Sequence, residues 1–384
     1  MKRIIAITAC GLMVGAGAFA QSEPTLETKV SGRILMDVGA MHNTDKTLNA
    51  KLNDGVAIPD ARVGFSAKYG NWKAKVDVGY ARQKLSLKDI NIDYNFNKEN
   101  LVRMGYFVHQ FGLQSATSSS FKISMEEPEA NQAFFNSRLL GAMLVHAGEK
   151  FHATASVFAE NDAMKNSTDK IGSEAWGAMT RLVFRPLTQR GNIFHVGLSG
   201  AYESPRYNAD NALNHKSYTL KATFPTRIAD VAVQSATITE AKSLWKVSPE
   251  ITAAYGNFGI EAQYFYVAIA RESGLPDYNA WGAYTNLRFL LKGQGYAYTK
   301  TDAGIATPEP GSMELVASYN YSTLTDKDTN IYGGKVHDWS VTFDYYINKY
   351  MIWRLRGSIT RATENKAFND NTFSILETRL QFKL

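Results

Sequence analysis

Apolar and polar residues alternate with a period of two through most of the chain, in segments of about ten residues. In the first segment Val30 and Ile34 fall on one face, and Arg33 and Asp37 fall on the other. Seventeen segments follow this pattern well, and an eighteenth, over residues 231–239, follows it less regularly. Because alternation places successive side chains on opposite sides of a strand, the pattern predicts an all-β chain.

Short turns alternate with longer connections along these segments. Gly70-Asn71 and Asn348-Lys349 each join two segments, whereas residues 42–59 form a long loop. Short turns at one end and long loops at the other are typical of a transmembrane antiparallel up-and-down β-barrel. A secreted β-sandwich, propeller or adhesin would also alternate, but sandwich strands average about five to six residues. We therefore favour the membrane barrel.

Aromatic residues near the ends of the segments support this interpretation. Such residues form girdles at the two membrane boundaries of a barrel. The candidates are Tyr69 with Trp72, Tyr94 with Phe96, and Tyr346 with Tyr350 and Trp353. After the first twenty residues no apolar run approaches the length of about 18 residues that a transmembrane helix needs. A chain of this kind crosses a membrane only as a closed barrel.

The start of the chain indicates export. Two basic residues precede an apolar run over residues 4–17, and a small-x-small cleavage site ends at Ala20. We predict a signal peptide over residues 1–20 and a mature barrel over residues 21–384. A lipoprotein acylation site at Cys10 would leave too short an apolar region before it. Since Cys10 is the only cysteine, the mature chain has none, which excludes disulfides and thiolate chemistry.

The longest interruption of the alternating pattern, Gln110–Ser137, follows the segment that ends near Phe107. It is rich in Ser and Thr at its start and acidic around Pro128, and it shows no sustained helical period. A loop of this length in a compact fold is usually functional or disordered. We expect residues 110–137 to fold into the lumen as a constriction, where the acidic residues repel anions, pair with arginines of the wall or lie at the mouth. The candidate constriction residues are His109, Lys122, Glu126 and Glu127.

The polar faces of the segments would line the lumen, and they carry more basic than acidic residues. The formal charge is +6, or +4 without Lys2 and Arg3, and a surplus this small without a clustered patch argues against a nucleic-acid partner. Arginines and lysines along a pore favour anions, although interleaved charges also pair across strands. The candidate pore-lining residues are Arg33, Arg62, Lys73, Lys75, Arg103, Arg181, Arg185, Arg288, Arg354 and Arg356.

Several stretches, taken together and in order, resemble the phosphate-selective porin O/P family of outer-membrane proteins. The similarity is densest over Gly105–Leu113 and continues through Ser118–Glu127 and Arg138–Gly141. It recurs at Ala280–Gln294 and Ser312–Tyr319, and over residues 333–348. The resemblance implies a trimeric porin of about 16 strands, within the range of 16–18 that the segments allow. Two of the eighteen segments would then not be separate wall strands.

The chain departs from the family pattern at one position that bears on selectivity. Family members that select phosphate tend to carry Lys where Val108 stands, in a Gly-x-Phe-Lys-x-Pro-Phe-Gly pattern, and here His109 and Gln110 follow. The last residue is Leu384 in place of the aromatic residue that often closes such barrels, with Phe382 on the same face. The resemblance therefore leaves the solute open.

Other functions have less support in the sequence. Histidines and serines are plentiful enough to pair by chance, and no spacing stands out as that of a nucleophile and its base, so we expect no enzyme and no catalytic residues. No His, Asp and Glu residues stand at metal-ligand spacing, and we expect no metal and no cofactor. We predict a passive porin in the lipid of the outer membrane of a Gram-negative bacterium, which passes small hydrophilic solutes, foremost anions such as phosphate or polyphosphate. The alternative is a non-conducting binding or adhesion barrel.

Overall fold

The computed structural model describes residues 24–43, 52–81, 84–116, 122–135, 138–159, 176–205, 217–272, 274–366 and 370–384. The signal peptide predicted over residues 1–20 lies outside the described residues. Across these ranges, no helix is both long enough and apolar enough to cross a membrane.

The described residues form twenty strands and two short helices. The first strands are β1 (Glu27–Asn43), β2 (Gly55–Tyr69), β3 (Trp72–Ala81), β4 (Lys84–Asn95) and β5 (Asn100–Val108). The helices α1 (Leu113–Ala116) and α2 (Glu129–Phe134) follow β5. The remaining strands are β6 (Arg138–Ala147), β7 (Phe151–Ala159), β8 (Trp176–Gln189), β9 (Asn192–Ser204), β10 (Ser217–Thr223), β11 (Ala232–Thr239), β12 (Ala241–Tyr255), β13 (Phe258–Arg271), β14 (Tyr278–Lys292), β15 (Tyr298–Thr299), β16 (Gly304–Ile305), β17 (Met313–Asp326), β18 (Ile331–Tyr345), β19 (Met351–Asn365) and β20 (Asn371–Lys383).

Sixteen strands form one closed antiparallel barrel, namely β1–β9, β12–β14 and β17–β20. Each pairs with the next barrel strand along the chain, and the last strand pairs with the first, for example Leu380 with Met36. Short turns join the strands at the end where β1 begins and β20 ends, except for the long connection between β14 and β17. In outer-membrane barrels this end faces the periplasm. The predicted up-and-down barrel of about sixteen strands is confirmed.

Apolar side chains of the wall strands point outward, as alternation predicts. Phe65 on β2 is 60% exposed in the isolated chain, which is suitable for contact with lipid. Near the periplasmic end, the rings of Trp72 and Tyr94 lie 4.7 Å apart, as in an aromatic girdle. The assignment of Tyr346 to the girdle is wrong, because its side chain is buried and its hydroxyl donates a hydrogen bond to Glu314 Oε2 at 2.8 Å. Residue 346 follows the end of β18, where strict alternation stops.

Strands β10 and β11 lie inside the barrel and do not belong to its wall. They form a separate two-stranded sheet, here called the inner hairpin. Gln234 of β11 donates hydrogen bonds from Nε2 to the carbonyl oxygens of Ser322 at 3.0 Å and Gly334 at 2.9 Å. The apolar face of the hairpin packs against inward side chains of the wall. These apolar contacts include Tyr218, Leu220, Val233 and Ile238 with Val336, Ala362 and Phe373. The interpretation of these two segments as wall strands is therefore wrong, which explains eighteen alternating segments in a barrel of sixteen strands.

The described residues of the loop between β5 and β6 also lie inside the barrel, as expected of the predicted constriction loop. The rings of Phe111 and Phe134 lie 6.4 and 5.9 Å from that of Phe265 on β13. The backbone N–H of Ala130 donates to Asn320 Oδ1 at 3.1 Å. The helices α1 and α2 span four and six residues, too few to produce a helical period in the sequence.

Gly112 has a conformational role in seating the constriction loop on the wall. Its φ of +80° lies in the left-handed region, and a Cβ atom there would lie 1.7 Å from Nε2 of Gln263. Its N–H donates to Ser199 Oγ at 3.0 Å. Only glycine allows the backbone to approach the inner wall this closely.

One long connection enters the barrel from the periplasmic end. Residues 293–312 join β14 to β17 and contain the short strands β15 and β16. This whole connection is here called the periplasmic hairpin. Tyr296 and Ala303 are almost completely buried. Arg181 of the wall donates from Nη1 to the carbonyl oxygen of Asp302 at 2.8 Å and from Nη2 to that of Ala303 at 2.9 Å. The sequence predicts a loop here but does not indicate that it enters the lumen.

Candidate functional site

A cavity of about 1060 Å³ lies in the lumen, here called the pore cavity. One side consists of inward side chains from β1–β6 and the end of β20, and the other consists of the constriction loop and the periplasmic hairpin. Lys221 and Thr223 of the inner hairpin also line it. The three inserted segments pack against the opposite part of the wall, so the open space remains beside the first six strands.

Ten basic and five acidic side chains line the pore cavity, which gives a surplus of five positive charges. The basic side chains are Arg33, Arg62, Lys75, Arg103, Lys122, Arg138, Lys221, Arg288, Arg354 and Lys383. The acidic side chains are Asp77, Asp89, Glu127, Glu261 and Asp302. A water-filled cleft with walls of one dominant charge concentrates ions of the opposite sign.

Ion pairs fix several of these basic side chains on the first strands. Arg103 makes a two-point contact with Asp93, in which Nε and Nη2 each lie 2.8 Å from a carboxylate oxygen. Asp89 accepts from Lys75 at 2.9 Å and from Arg138 at 2.6 Å. The pairing across strands considered from the sequence therefore occurs, and it holds the guanidinium groups in defined positions.

A second group of charges lies where the constriction loop meets the later strands. Arg288 Nε donates to Glu314 Oε1 at 2.7 Å, and the Arg288 guanidinium lies 4.7 Å from the ring centre of Tyr296. Arg354 Nη1 donates to the carbonyl oxygen of Lys122 in the loop and pairs with Asp344 on the wall at 3.4 Å. The Arg354 contact ties the constriction loop to the barrel wall, and the Arg288 contact holds Tyr296 of the connection between β14 and β17.

The tip of the constriction loop is held by buried charges, here called the anchor cluster: Asp37, Glu126, Glu377 and Arg379. Arg379 donates from Nε and Nη2 to the two oxygens of Asp37 at 2.7 and 2.6 Å, and Nη1 donates to the carbonyl oxygen of Met125 at 2.9 Å. The same guanidinium pairs with Glu126. One oxygen from each of the three carboxylates lies within 4.8 Å of the others, a spacing that would suit a cation. Here the guanidinium supplies the positive charge.

Burial changes the acidity of the loop side chains. Desolvation lowers the pKa of the Lys122 ammonium below its ordinary value. Burial raises the pKa of Glu126, but Arg379 and Arg227 outweigh this effect, so the pKa of that carboxyl lies below its usual value. Burial, reinforced by Asp338, holds the pKa of Glu129 well above its ordinary value. Glu126 is therefore the ionised partner of Arg379 at neutral pH.

The comparisons with known proteins agree with this architecture. The family model described as phosphate-selective porin O and P matches residues 28–384. The chain belongs to this family. Porin O of Pseudomonas aeruginosa is 24% identical to it over an alignment 428 positions long, which covers 95% of this chain and 94% of that protein. The chain is thus a porin of the Gram-negative outer membrane, a channel rather than an enzyme.

Solved outer-membrane proteins share the fold of this porin. An anion-selective porin from Comamonas acidovorans superposes with a TM-score of 0.60 at 9% identity, covering 94% of this chain and 100% of that one. The channel DcaP of Acinetobacter baumannii superposes with a TM-score of 0.55 at 11% identity, covering 96% and 100%. At these identities the likeness concerns the fold alone.

Eight of the candidate site residues line the pore cavity of the porin. They are Arg33, Arg62, Lys75, Arg103, Lys122, Glu127, Arg288 and Arg354. Lys73 is exposed near the periplasmic end of β3. Arg181 and Arg185 are completely or almost completely buried and hold backbone carbonyls of the periplasmic hairpin. Arg356 pairs with Asp338 at 3.1 Å, away from the pore cavity.

Two of the candidate constriction residues, His109 and Glu126, are buried in contacts with the rest of the protein. His109 is buried, stacks on Phe107 with ring centres 4.2 Å apart, and lies with Nε2 3.2 Å from the carbonyl oxygen of Leu139. Burial lowers the pKa of His109 to about 4, so the imidazole is neutral at physiological pH. Glu126 belongs to the anchor cluster. Neither side chain lines the pore cavity.

Three basic residues line the pore cavity but are absent from the candidates. Lys383 lies opposite Arg33 in the pairing of β20 with β1, so the polar face of the last segment is a signal that would have found it. Arg138 begins β6 directly after the constriction loop, where alternation is not established. Lys221 lies on the inner hairpin, which the sequence predicts as part of the wall.

Proposed function

We propose that this porin passes small hydrophilic solutes by passive diffusion and prefers anions. The observation that carries the proposal is the surplus of five positive charges around the pore cavity. An anion that loses part of its hydration in the lumen finds fixed positive charges and charge-assisted donors along the wall. No single site needs to hold the solute tightly, because a tightly bound solute would not leave the pore.

Phosphate is the solute class that the family description suggests, and the charges of the pore cavity suit a phosphate or polyphosphate. Val108, which stands where phosphate-selecting relatives tend to have Lys, lines the pore cavity. An apolar side chain there supplies no charge to a phosphate. Any selection of phosphate in this porin therefore depends on the other basic residues, such as Arg62, Arg103 and Arg138.

The proposed assembly is a homotrimer. The family resemblance supports it, and a likeness in fold to the trimer form of Vibrio cholerae OmpT, with a TM-score of 0.55, is consistent with it. The pore cavity is formed within one chain, so each subunit would conduct on its own.

The test is a planar bilayer recording of the refolded mature protein under a KCl gradient. The expected reversal potential has the sign of chloride permeation, and added inorganic phosphate should reduce the chloride current. The double variant Arg62→Gln/Lys75→Gln should lower the anion preference, whereas Lys68→Gln, with its exposed side chain at the periplasmic end, should not. A reversal potential of cation sign would overturn the anion proposal. A folded barrel that never conducts would favour a binding or adhesion role.

A further inference from the structure

The outward face of β18 and β19 carries basic side chains among residues that contact lipid. Arg361 on β19 is exposed and lies opposite His337 of β18, and Lys335 lies two residues nearer the extracellular end. Leu355 and Ile359 share the face of Arg361 and are 38 and 51% exposed. The two cations therefore project toward the membrane and away from the pore cavity.

The position of Arg361 along β19 places it near the outer boundary of the membrane. Trp353, a residue of the periplasmic girdle, precedes it by eight residues on the same strand. With a rise of about 3.3 Å per residue and a tilt of about 40°, this separation is roughly 20 Å along the membrane normal. The apolar band of an outer-membrane barrel is about 25 Å tall. Arg361 thus lies at the level where headgroups of the outer leaflet begin.

The guanidinium of Arg361 has no carboxylate within 4.0 Å among the residues that the structure describes. Lys335 forms an ion pair with Glu364, in which Nζ lies 2.9 Å from Oε1. His337 Nδ1 lies 2.9 Å from the hydroxyl of Tyr319, so its other ring nitrogen is directed elsewhere. A guanidinium at the membrane boundary is stabilised by an anionic group, and its planar donors match a phosphate.

Aromatic rings form a surface next to these cations. Trp339 stacks on His337 with ring centres 5.6 Å apart, and Tyr321 lies 4.7 Å from His337. Trp281 of β14 continues this surface at 4.7 Å from Tyr321. Tyr321 lies opposite His337 in the pairing of β17 with β18, and Trp339 lies two residues nearer the membrane centre than His337. Cations beside aromatic rings at the membrane boundary are complementary to a phosphorylated lipid.

We propose that Lys335, His337 and Arg361 form a binding site for a phosphate group of lipopolysaccharide, with its acyl chains against Trp339 and Tyr321. The extracellular end of the barrel faces the leaflet that contains lipopolysaccharide, and this glycolipid carries phosphates at the headgroup boundary. The site lies on the outside of the wall and is separate from the pore cavity, so it is independent of the proposed anion preference.

The test is native mass spectrometry of the detergent-folded porin with added lipid A, dephosphorylated lipid A or phosphatidylglycerol. The wild-type protein should retain lipid A in preference to the other two lipids. Arg361→Gln should weaken binding about tenfold, the effect of one charge-assisted contact. The double variant Arg361→Gln/Lys335→Gln should bind lipid A no better than its dephosphorylated form. Arg361→Lys, which keeps the charge but loses the planar donors, should bind lipid A more weakly than the wild type and more tightly than Arg361→Gln.

The control variant is Arg190→Gln, whose side chain is exposed at a periplasmic turn and pairs with Glu309 at 2.5 Å. It should bind lipid A as the wild type does. Bilayer conductance of every variant should match the wild type and so report a folded barrel. Equal binding of lipid A and its dephosphorylated form by the wild type would overturn the proposal, as would undiminished binding by Arg361→Gln. A change of oligomeric state in Arg361→Gln without a change in lipid binding would identify the patch as an interface between copies of the chain.

Discussion

Removing Arg379 is expected to release the constriction loop while the barrel stays closed. Arg379→Gln leaves the carboxylates of Asp37 and Glu126 without their shared cation, and both side chains are at most 6% exposed. Breaking a buried ion pair by removing one partner costs about 3–5 kcal/mol, because the remaining charge stays buried. Arg227 still lies 3.2 Å from Glu126, so the lower value, about 3 kcal/mol, is expected.

This cost falls on the attachment of the loop, since the backbone pairing of β20 with β1 and β19 does not involve the side chain of Arg379. A change of about 3 kcal/mol shifts the ratio of attached to detached loop by about a hundredfold. Single-channel recording should therefore show a noisier current with frequent steps in conductance. Limited proteolysis should cut the variant within residues 110–137 faster than the wild type.

Two further variants separate the loss of charge pairing from general damage. The triple variant Arg379→Gln/Asp37→Asn/Glu126→Gln leaves no bare carboxylate at these positions, so it should recover part of the steady current. Arg361→Gln, on the outward face of the neighbouring strand, should conduct as the wild type does. The reasoning is refuted if Arg379→Gln conducts steadily with normal conductance, or if the triple variant is as noisy as the single one.

Two other predictions concern the loop and the inner hairpin. Because burial lowers the pKa of Lys122, its positive charge should be lost on raising the pH before that of an ordinary lysine, and the anion preference should fall with it. Reversal potentials between neutral and alkaline pH measure this change, and Lys122→Arg should abolish it, since arginine stays charged. Replacing residues 218–238 by a short Gly/Ser linker should give a folded barrel of higher conductance, because the inner hairpin pairs with itself. An unchanged conductance from a folded variant would contradict the assignment of this hairpin to the lumen.

The wall strands could be predicted from the sequence because each has lipid on one side and the lumen on the other. On β13, for example, Tyr264 is 38% exposed while its neighbour Phe265 is buried. Alternation reports two different environments but does not identify them. The inner hairpin also has two different faces, since Leu220 is buried and Lys221 lines the pore cavity. Its strands therefore look like wall strands until the tertiary contacts are known.

The pore-lining residues were less predictable from the sequence. Alternation along a strand shows which side chains point into the barrel, but it does not show which of them are covered by another segment of the chain. Arg103 and Arg181 both point inward, yet Arg103 lines the pore cavity and Arg181 lies under the periplasmic hairpin. The difference depends on a contact between residues 181 and 303, which are distant in the sequence and linked by no local pattern. The same limitation applies to the anchor cluster, whose members come from β1, the constriction loop and β20.

Several ion pairs of the wall leave positive charge at the surface of the pore cavity, because only the basic partner of each pair lines it. Asp60, Asp93 and Glu314 each pair with an arginine that lines the pore cavity, but these carboxylates do not line it themselves. These arginines contribute to the lining of the pore cavity while they stay paired with carboxylates outside the lining. The carboxylates therefore act mainly as supports that fix the arginines in place. Pairing and anion preference, which the sequence leaves as competing interpretations, are compatible in this arrangement.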